Sequence, residues 1–267
     1  MGGDCFQMPR FFVKREAVDE TSGIINITGE DVNHIKNVLR MNQRESLTVS
    51  DDSGKDYEAV IVSLEKDIVV ACITGVRLNE TEPPVDVVLY QGIPKSDKMD
   101  LIIQKCVELG ISKIVPVLNA RTIVKLDSSK DAAAKTARWQ RISLEAAKQC
   151  SRGTVPEVAF PLSFEKALGE LGESSHSLIP YELEKNGSLR HFIKSCTASY
   201  NCKNCVSTKF LINVFIGPEG GFTEEEIIKA KKHGVVPVTM GPRILRTETA
   251  GLAVLSILMY ELGDMGK

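Results

Sequence analysis

The first 78 residues alternate apolar and polar positions over short stretches. Gly23–Ile27, Leu47–Ser50, Lys55–Ser63 and Asp67–Leu78 are rich in β-branched residues and are separated by turn residues such as Ser53-Gly54. That pattern predicts strands. One stretch has a different period: Val32, Ile35, Val38 and Leu39 recur at helical spacing, with Thr28 placed to cap the N-terminus and Glu30 and Asp31 in the first turn. Many short strands and one helix predict a small β-barrel. Asn79-Glu80-Thr81-Glu82-Pro83-Pro84 then intervenes. Two prolines after a polar stretch cannot continue a central strand or helix. Residues 79–84 are therefore expected to link a first domain, 1–78, to a second, 85–267.

Beyond the linker, strands alternate with helices. Val85–Gln91 reads as a buried strand, and Ser96–Gly110 as a helix with Met99, Ile102, Ile103, Cys106 and Val107 on one face. Ile114–Leu118, Leu178–Tyr181, Phe210–Gly217 and Val235–Met240 are predicted strands; about Ser129 to Cys150, Glu224–His233 and Thr247–Leu262 are predicted helices. This order implies βαβ units and a mostly parallel sheet covered on both faces. Ligands bind such sheets at the carboxyl ends of the strands. Ser195–Lys209 reads as a polar surface loop before a core strand.

Composition narrows the class. The 267 residues are 43% hydrophobic and 25% charged with a net charge of −2, which excludes general disorder. No apolar run reaches the ~18 residues of a bilayer span, and the N-terminus lacks the basic region and apolar core of a secretory signal. Seven scattered cysteines imply free thiols in a reducing cytoplasm. Cys202 and Cys205, with Cys196 nearby, form a single C-x-x-C without a second pair, and His34, His176, His191 and His233 lie far apart, so no metal is expected. Charge is uneven: residues 1–84 carry 9 Lys and Arg against 15 Asp and Glu, and residues 85–267 carry 24 against 20. A polyanion would meet the second part, or a local patch, more naturally than the whole surface.

Three segments carry candidate chemistry. In the first, Phe210–Ile216 runs into Gly217-Pro218-Glu219-Gly220-Gly221, and Thr223 with Glu226 forms a capping box for the next helix. The spacing fits neither a dinucleotide fingerprint nor a P-loop. Glu219, Glu224, Glu225 and Glu226 crowd a helix start that a phosphate would need for itself. The turn is thus either a tight, well-capped connection or a cradle for a neutral or cationic ligand. In the second, Met240–Ala250, Arg243 and Arg246 precede the nearly all-apolar stretch GLAVLSILMYEL. These arginines either face a site or, as Arg246 with Glu248, form an exposed ion pair. In the third, Arg138, Arg141, Lys148 and Arg152 share one helix face, a stripe that is either solvated or suited to an RNA backbone.

The sequence resembles the RsmE family, bacterial 16S rRNA uridine N3-methyltransferases of the SPOUT (trefoil-knot) superfamily. The resemblance rests on Gly217–Gly221 and on Gly241–Ala250 (GPRILRTETA). It extends through Met8-Pro9-Arg10-Phe11-Phe12, His34, Val38-Leu39-Arg40-Met41, Gln91-Gly92-Ile93-Pro94-Lys95, Gln104–Gly110 and Glu145–Arg152. It implies a PUA-like barrel before a knotted α/β methyltransferase domain, a homodimer through the knot helices, and S-adenosylmethionine as cofactor. It further implies three cofactor loops: Pro180, Tyr181 and Glu182; Ile216, Gly217, Pro218, Glu219, Gly220 and Gly221; and Met240, Gly241, Ile244, Leu245, Arg246, Thr249 and Ala250. Arg246 is the expected catalytic residue. Arg10, Arg40, Lys95, Lys98 and Arg152 are the expected contacts to RNA phosphate. The general base is not identified. A non-catalytic rRNA-binding assembly factor and a tRNA-directed methyltransferase of the same fold are the competing readings.

Overall fold

The computed structural model describes residues 8–124, 126, 128–172, 176–202 and 210–266. They form two compact units, Met1–Glu82 with Ala147–Val155, and Pro83–Ala146 with Pro156–Lys267. The division falls between Glu82 and Pro83. Residues 147–155, which the sequence pattern assigns to the second domain, count with the first.

In the first unit the chain runs through β1 (Arg10–Phe12), β2 (Val18–Asp19), β3 (Ile24–Thr28), α1 (Glu30–Asn33), β4 (Ser46–Ser50), β5 (Lys55–Leu64) and β6 (Ile68–Leu78). The strands form one sheet in the order β1-β4-β5-β6-β3-β2, antiparallel except for the β1–β4 pair. Alternation places Phe11, Ile25, Ile27, Leu47, Val49, Ala59, Ile61, Val69 and Ala71 in one core. The expected helix is only partly present. Gly29, not Thr28, occupies its N-cap position, and after Asn33 the chain continues as a π-turn over His34–Val38. Val32 and Ile35 are buried, but Val38 and Leu39 are 63% and 41% exposed. The π-turn shifts the rotation per residue, so spacing that would put these two on the core face of an α-helix turns them outward.

Ion pairs tie this unit together internally. Arg10 binds Asp56 through two contacts and reaches the Arg152 carbonyl at 3.1 Å. Arg152 pairs with Glu82 through Nε at 3.2 Å and Nη2 at 2.6 Å. The same carboxylate accepts the Gly153 and Thr154 amides. Lys148 lies 2.8 Å from Asp31.

The second unit holds β7 (Val85–Gly92), α2 (Lys98–Glu108), β8 (Lys113–Leu118), most of α3 (Ser129–Gln149), β9 (Glu157–Val158), β10 (Leu162–Ser163), α4 (Phe164–Gly169), β11 (His176–Pro180), α5 (Leu189–Cys202), β12 (Phe210–Ile216), α6 (Glu224–Lys232), β13 (Val236–Val238) and α7 (Thr247–Glu261). Its sheet is parallel throughout, in the order β10-β8-β7-β12-β11-β13, with β9 also pairing β8. The expected class, a parallel α/β sheet following a smaller β unit, is the observed one. The five expected apolar residues of α2 are buried, and Gly110 at φ +92° ends its turn. Tyr90 stacks on Phe215 at 4.4 Å, with Phe164 edge-on to the latter. After β13, at one edge of the sheet, the chain crosses back so that α7 packs on β12, β7 and α2. That return is the course expected of the knot-forming segment.

The segment expected to be a polar loop before β12 is helical through Cys202, and Cys196 is fully buried. Its polar composition hides an amphipathic face formed by Phe192, Ile193 and Cys196. Cys205 lies outside the described residues. Among the described residues no group of three or more His, Cys, Asp or Glu gathers in metal-binding geometry, and no helix is long and apolar enough to cross a membrane.

Burial pushes the Glu82 carboxyl upward, but the hydrogen bonds and charge of Arg152, with help from Thr154, outweigh it and hold the group below the usual carboxylate range. A carboxyl whose folded value is depressed stabilises at neutral pH, and that contribution disappears as pH falls through the depressed value. Glu82→Gln should therefore destabilise the protein by roughly 3 kcal/mol at pH 7. The difference from wild type should shrink as urea unfolding is repeated from pH 6 down to pH 3.

Candidate active site

The site is built at the carboxyl ends of β7, β11 and β12. Beyond Ile216 the chain turns through Gly217–Gly221. A Cβ on Gly217 would stand 3.1 Å from the Gly221 backbone, and Gly221 itself has φ +65°. The turn is pressed against β7: a Cβ on Gly92 would meet the Pro218 nitrogen at 2.6 Å and Asn119 Oδ1 at 2.7 Å. The predicted capping box is present. Glu226 donates its amide to Thr223 Oγ1 at 3.2 Å, and the Thr223 amide donates to Glu226 Oε2 at 2.8 Å. Glu226 Oε1 also accepts the Ala120 amide, and Arg121 donates to the Gly220 carbonyl at 2.7 Å. The loop after β8 thus braces the glycine turn.

The opposite wall is the segment between β13 and α7. Thr247 fixes it. Its hydroxyl donates to the Gly217 carbonyl at 2.7 Å and accepts Gln91 Nε2 at 2.9 Å. Gln91 is fully buried, and its other amide hydrogen goes to the Gly92 carbonyl.

Between these walls and the end of β11 lies a cavity of 840 Å³. Pro180, Tyr181, Glu182, Ile216, Gly217, Pro218, Glu219, Gly220, Gly221, Met240, Gly241, Ile244, Leu245, Arg246 and Ala250 line it. The structure thus brings the three expected loops together around one space. Thr249 is exposed and is not part of the lining: one position past Glu248 on α7, it faces away. Lys98, Glu184, Phe222 and Thr239 also line the cavity and were not expected there, as does Arg243, for which facing a site was one of two readings. For Arg243 the signal was its place in the same motif. For Lys98 no local signal existed, because α2 is brought to the turn by the sheet.

The site's charges are partly spent. Glu219 accepts from Lys98 Nζ at 2.9 Å and from the Lys95 amide at 3.1 Å. Burial raises its carboxyl, but Lys98 and the backbone amides outweigh this and hold it below the usual range. Tyr181 is pushed above the ordinary phenol range by burial and by the charges of Glu182 and Glu224. Charge at the cavity is mixed: Glu182 and Glu184 share its lining with Lys185, Arg243 and Arg246. Glu248 lies 3.6 Å from Lys98 rather than pairing with Arg246. Arg246 is exposed at the cavity edge, next to an 87% exposed Ile244.

The five expected phosphate contacts divide. Arg10 and Arg152 are 6% and 5% exposed and are engaged in the internal ion pairs described above. The phosphate assignment is corrected for both: they hold the first unit together. Their acidic partners lie far away in sequence, which is why the pattern of basic residues misled. Lys98 belongs to the cavity wall. Arg40, with φ +54°, and Lys95 are exposed. In the basic stripe of α3, Lys148 is held by Asp31 and Arg138 pairs at the surface with Asp100, while Arg141 is exposed.

Comparison with known proteins gives concordant results. An RNA methyltransferase domain model matches residues 81–259, and an RNA methyltransferase PUA domain model matches residues 27–72. Ribosomal RNA small subunit methyltransferase E of Bacillus subtilis is 37% identical over 95% of this chain and 97% of its own length. The protein of that name from Aquifex aeolicus is 31% identical over 90% and 96%. A crystal structure of ribosomal RNA small subunit methyltransferase E from Neisseria gonorrhoeae bound to S-adenosyl methionine aligns with a TM-score of 0.81 and 34% identity, covering 97% of this chain and all of that one.

Thr247→Val would leave the Gly217 carbonyl and Gln91 Nε2 without their partner at unchanged side-chain volume. Stability should fall by ~1–3 kcal/mol in urea unfolding, and Thr247→Ser should recover most of it.

Proposed function

The chain belongs to the RNA methyltransferase family of ribosomal RNA small subunit methyltransferase E, and from that premise we propose that it methylates N3 of a uridine in 16S rRNA, with S-adenosylmethionine as methyl donor. It is an S-adenosylmethionine-dependent rRNA methyltransferase. The observation that carries the finer reading is the cavity with Arg246 at its edge, in a loop that also walls the cofactor space.

The residues present fit the cofactor. The cavity's 840 Å³ lies within the ~300–1,000 Å³ of small-molecule sites. Gly217, Gly220 and Gly221 line the cavity with backbone rather than side chain, so their amides and carbonyls can read a nucleoside closely. Pro180, Ile216, Met240, Ile244 and Leu245 offer apolar surface to its base, and Glu182 offers charge to its cationic end. S-adenosylmethionine supplies an already activated methyl group on a sulfonium and carries no phosphate. Lining residues therefore contribute chiefly by orienting the donor and excluding water.

The uracil N3 carries a proton that must leave before the nitrogen can act as nucleophile. Negative charge then spreads onto the ring carbonyl oxygens. Arg246 is the residue that meets this charge, stabilising it as it develops. The first unit helps hold the RNA, and Arg40 and Lys95 contact its backbone. The protein acts in the cytoplasm as a homodimer on the small ribosomal subunit. The dimer reading is supported by Leu101 of α2 and by Ile257 and Tyr260 of α7, large side chains left exposed on two helices that pack together.

Incubation with S-adenosylmethionine and small subunits lacking the modification should yield N3-methyluridine in 16S rRNA on nucleoside mass spectrometry; unmodified rRNA would defeat the reading. Arg246→Ala should slow transfer by about 100-fold or more, with cofactor affinity by calorimetry changed no more than a few fold; an active variant would remove Arg246 from its role. Separately, Arg40→Ala and Lys95→Ala should each lower the slope of log affinity against log salt for RNA binding by about 1.

A further inference from the structure

Lys98 opens α2 on the cavity wall, between two carboxylates from other elements. Its Nζ lies 2.9 Å from Glu219 Oε1, in the glycine turn, and 3.6 Å from Glu248 Oε2, in the first turn of α7. These are the charged groups that face it among the described residues. Glu248 Oε2 is buried and, among the described residues, has no hydrogen-bond partner, so its charge acts on the ammonium across 3.6 Å. An ammonium has three N–H donors. Among the described residues, only Glu219 accepts from it at hydrogen-bond distance, and the side chain lines the open cavity.

This arrangement suits a particular kind of guest. The two carboxylates offset much of the ammonium's charge, so Lys98 acts as a directed N–H donor rather than as a bare cation for a phosphate, the group first expected on it. A neutral carbonyl oxygen can accept the spare N–H. Such an oxygen benefits most if it gains charge only during reaction. The hydrogen bond to Glu219, followed by the charges of Glu219 and Glu248, outweighs partial desolvation and holds Lys98 above the usual lysine range. It therefore stays a cation and is no proton acceptor.

Resting on the uridine N3 reading above, we propose that Lys98 is a second catalytic residue. It donates to one carbonyl oxygen of the target uracil while Arg246 serves the other, and Glu219 and Glu248 act as positioning residues that aim its ammonium into the cavity. The N3–H bond breaks with its electron pair left on the ring, spread over N3 and both carbonyl oxygens, and the proton passes to water. The N3 pair then forms the bond to the methyl carbon as the methyl–sulfur bond breaks and its electrons return to sulfur. A hydrogen bond to each carbonyl strengthens as charge develops there, which makes N3 more acidic.

The test is single-turnover methylation of unmodified small subunits from pH 6 to 10, with cofactor affinity measured by calorimetry without RNA. In the wild type the rate should rise about tenfold per pH unit and then level off. Lys98→Met should lose about 100-fold or more at pH 7, and the loss should shrink toward pH 10, where hydroxide ionises the uracil unaided. Lys98→Arg should stay within about tenfold of wild type, and cofactor affinity should change less than about threefold in both variants. A pH-independent loss in Lys98→Met, a loss matched by weakened cofactor binding, or a loss under threefold would overturn the proposal. A wild-type protein that leaves N3 unmethylated would instead overturn the reading beneath it.

Discussion

The hydroxyl of Thr247 joins three pieces of chain that are remote in sequence. It receives the Gln91 side chain from the end of β7, gives its proton to Gly217 at the end of β12, and belongs to the first residue of α7. All three groups are buried or nearly so, where an unmade hydrogen bond costs far more than a made one gains. The C-terminal segment, having crossed back from the edge strand, is thereby fixed against the middle of the sheet. That anchor, together with the packing of α7 on α2, β7 and β12, holds the second wall of the cavity in place. The anchor also explains why Arg246 is available. It occupies the N-cap position of α7, yet its side chain makes no capping bond, so the guanidinium is left at the cavity edge.

Several basic residues of the first unit, including the end of α3, are held in ion pairs, so counting basic residues overstates what is offered to RNA. In the first unit Arg10 is consumed by Asp56, and Arg15 by Asp51, Glu20 and the hydroxyl of buried Tyr57. Arg152 and Lys148, at the end of α3, are consumed by Glu82 and Asp31. Buried ion pairs contribute little net stability but are costly to break, because the surviving partner is left uncompensated. These arginines define how the first unit is assembled. Contacts to a polyanion must come from exposed positions such as Arg40.

The long, strongly periodic elements were legible because one face of each meets a core whatever its neighbours are. The stripe of α2, the buried strands β7 and β12 and the capping box of α6 lie where the pattern put them. The two-residue strands β2, β9 and β10 were not legible, since pairing with a remote strand is all that defines them. The outward turn of Val38 and Leu39 was hidden because a π-turn has no signature in hydrophobic spacing. Of the site, the three loops were recognisable from their motifs as local stretches. Thr249 was misplaced because a motif carries no facing information, and Lys98 was misassigned because Glu219 reaches it only through the sheet.

The acidic character of the glycine turn first counted against a phosphate ligand, and the structure changes the reason. Glu226 is committed to the α6 cap and to the Ala120 amide, and Glu219 to Lys98 and the Lys95 amide. Neither presents a bare charge to the cavity. The remaining acidity comes from Glu182, whose carboxylate lies 3.4 Å from where a Cβ on Gly221 would stand, and from Glu224 beyond the turn. The helix start that would cradle a phosphate elsewhere is thus closed twice. The Thr223 and Glu226 amides are taken by its own cap, and the carboxylate of Glu182, just beyond β11, faces the turn. A cation is the charged guest that relieves Glu182, and the absence of a side chain at Gly221 keeps that carboxylate uncovered.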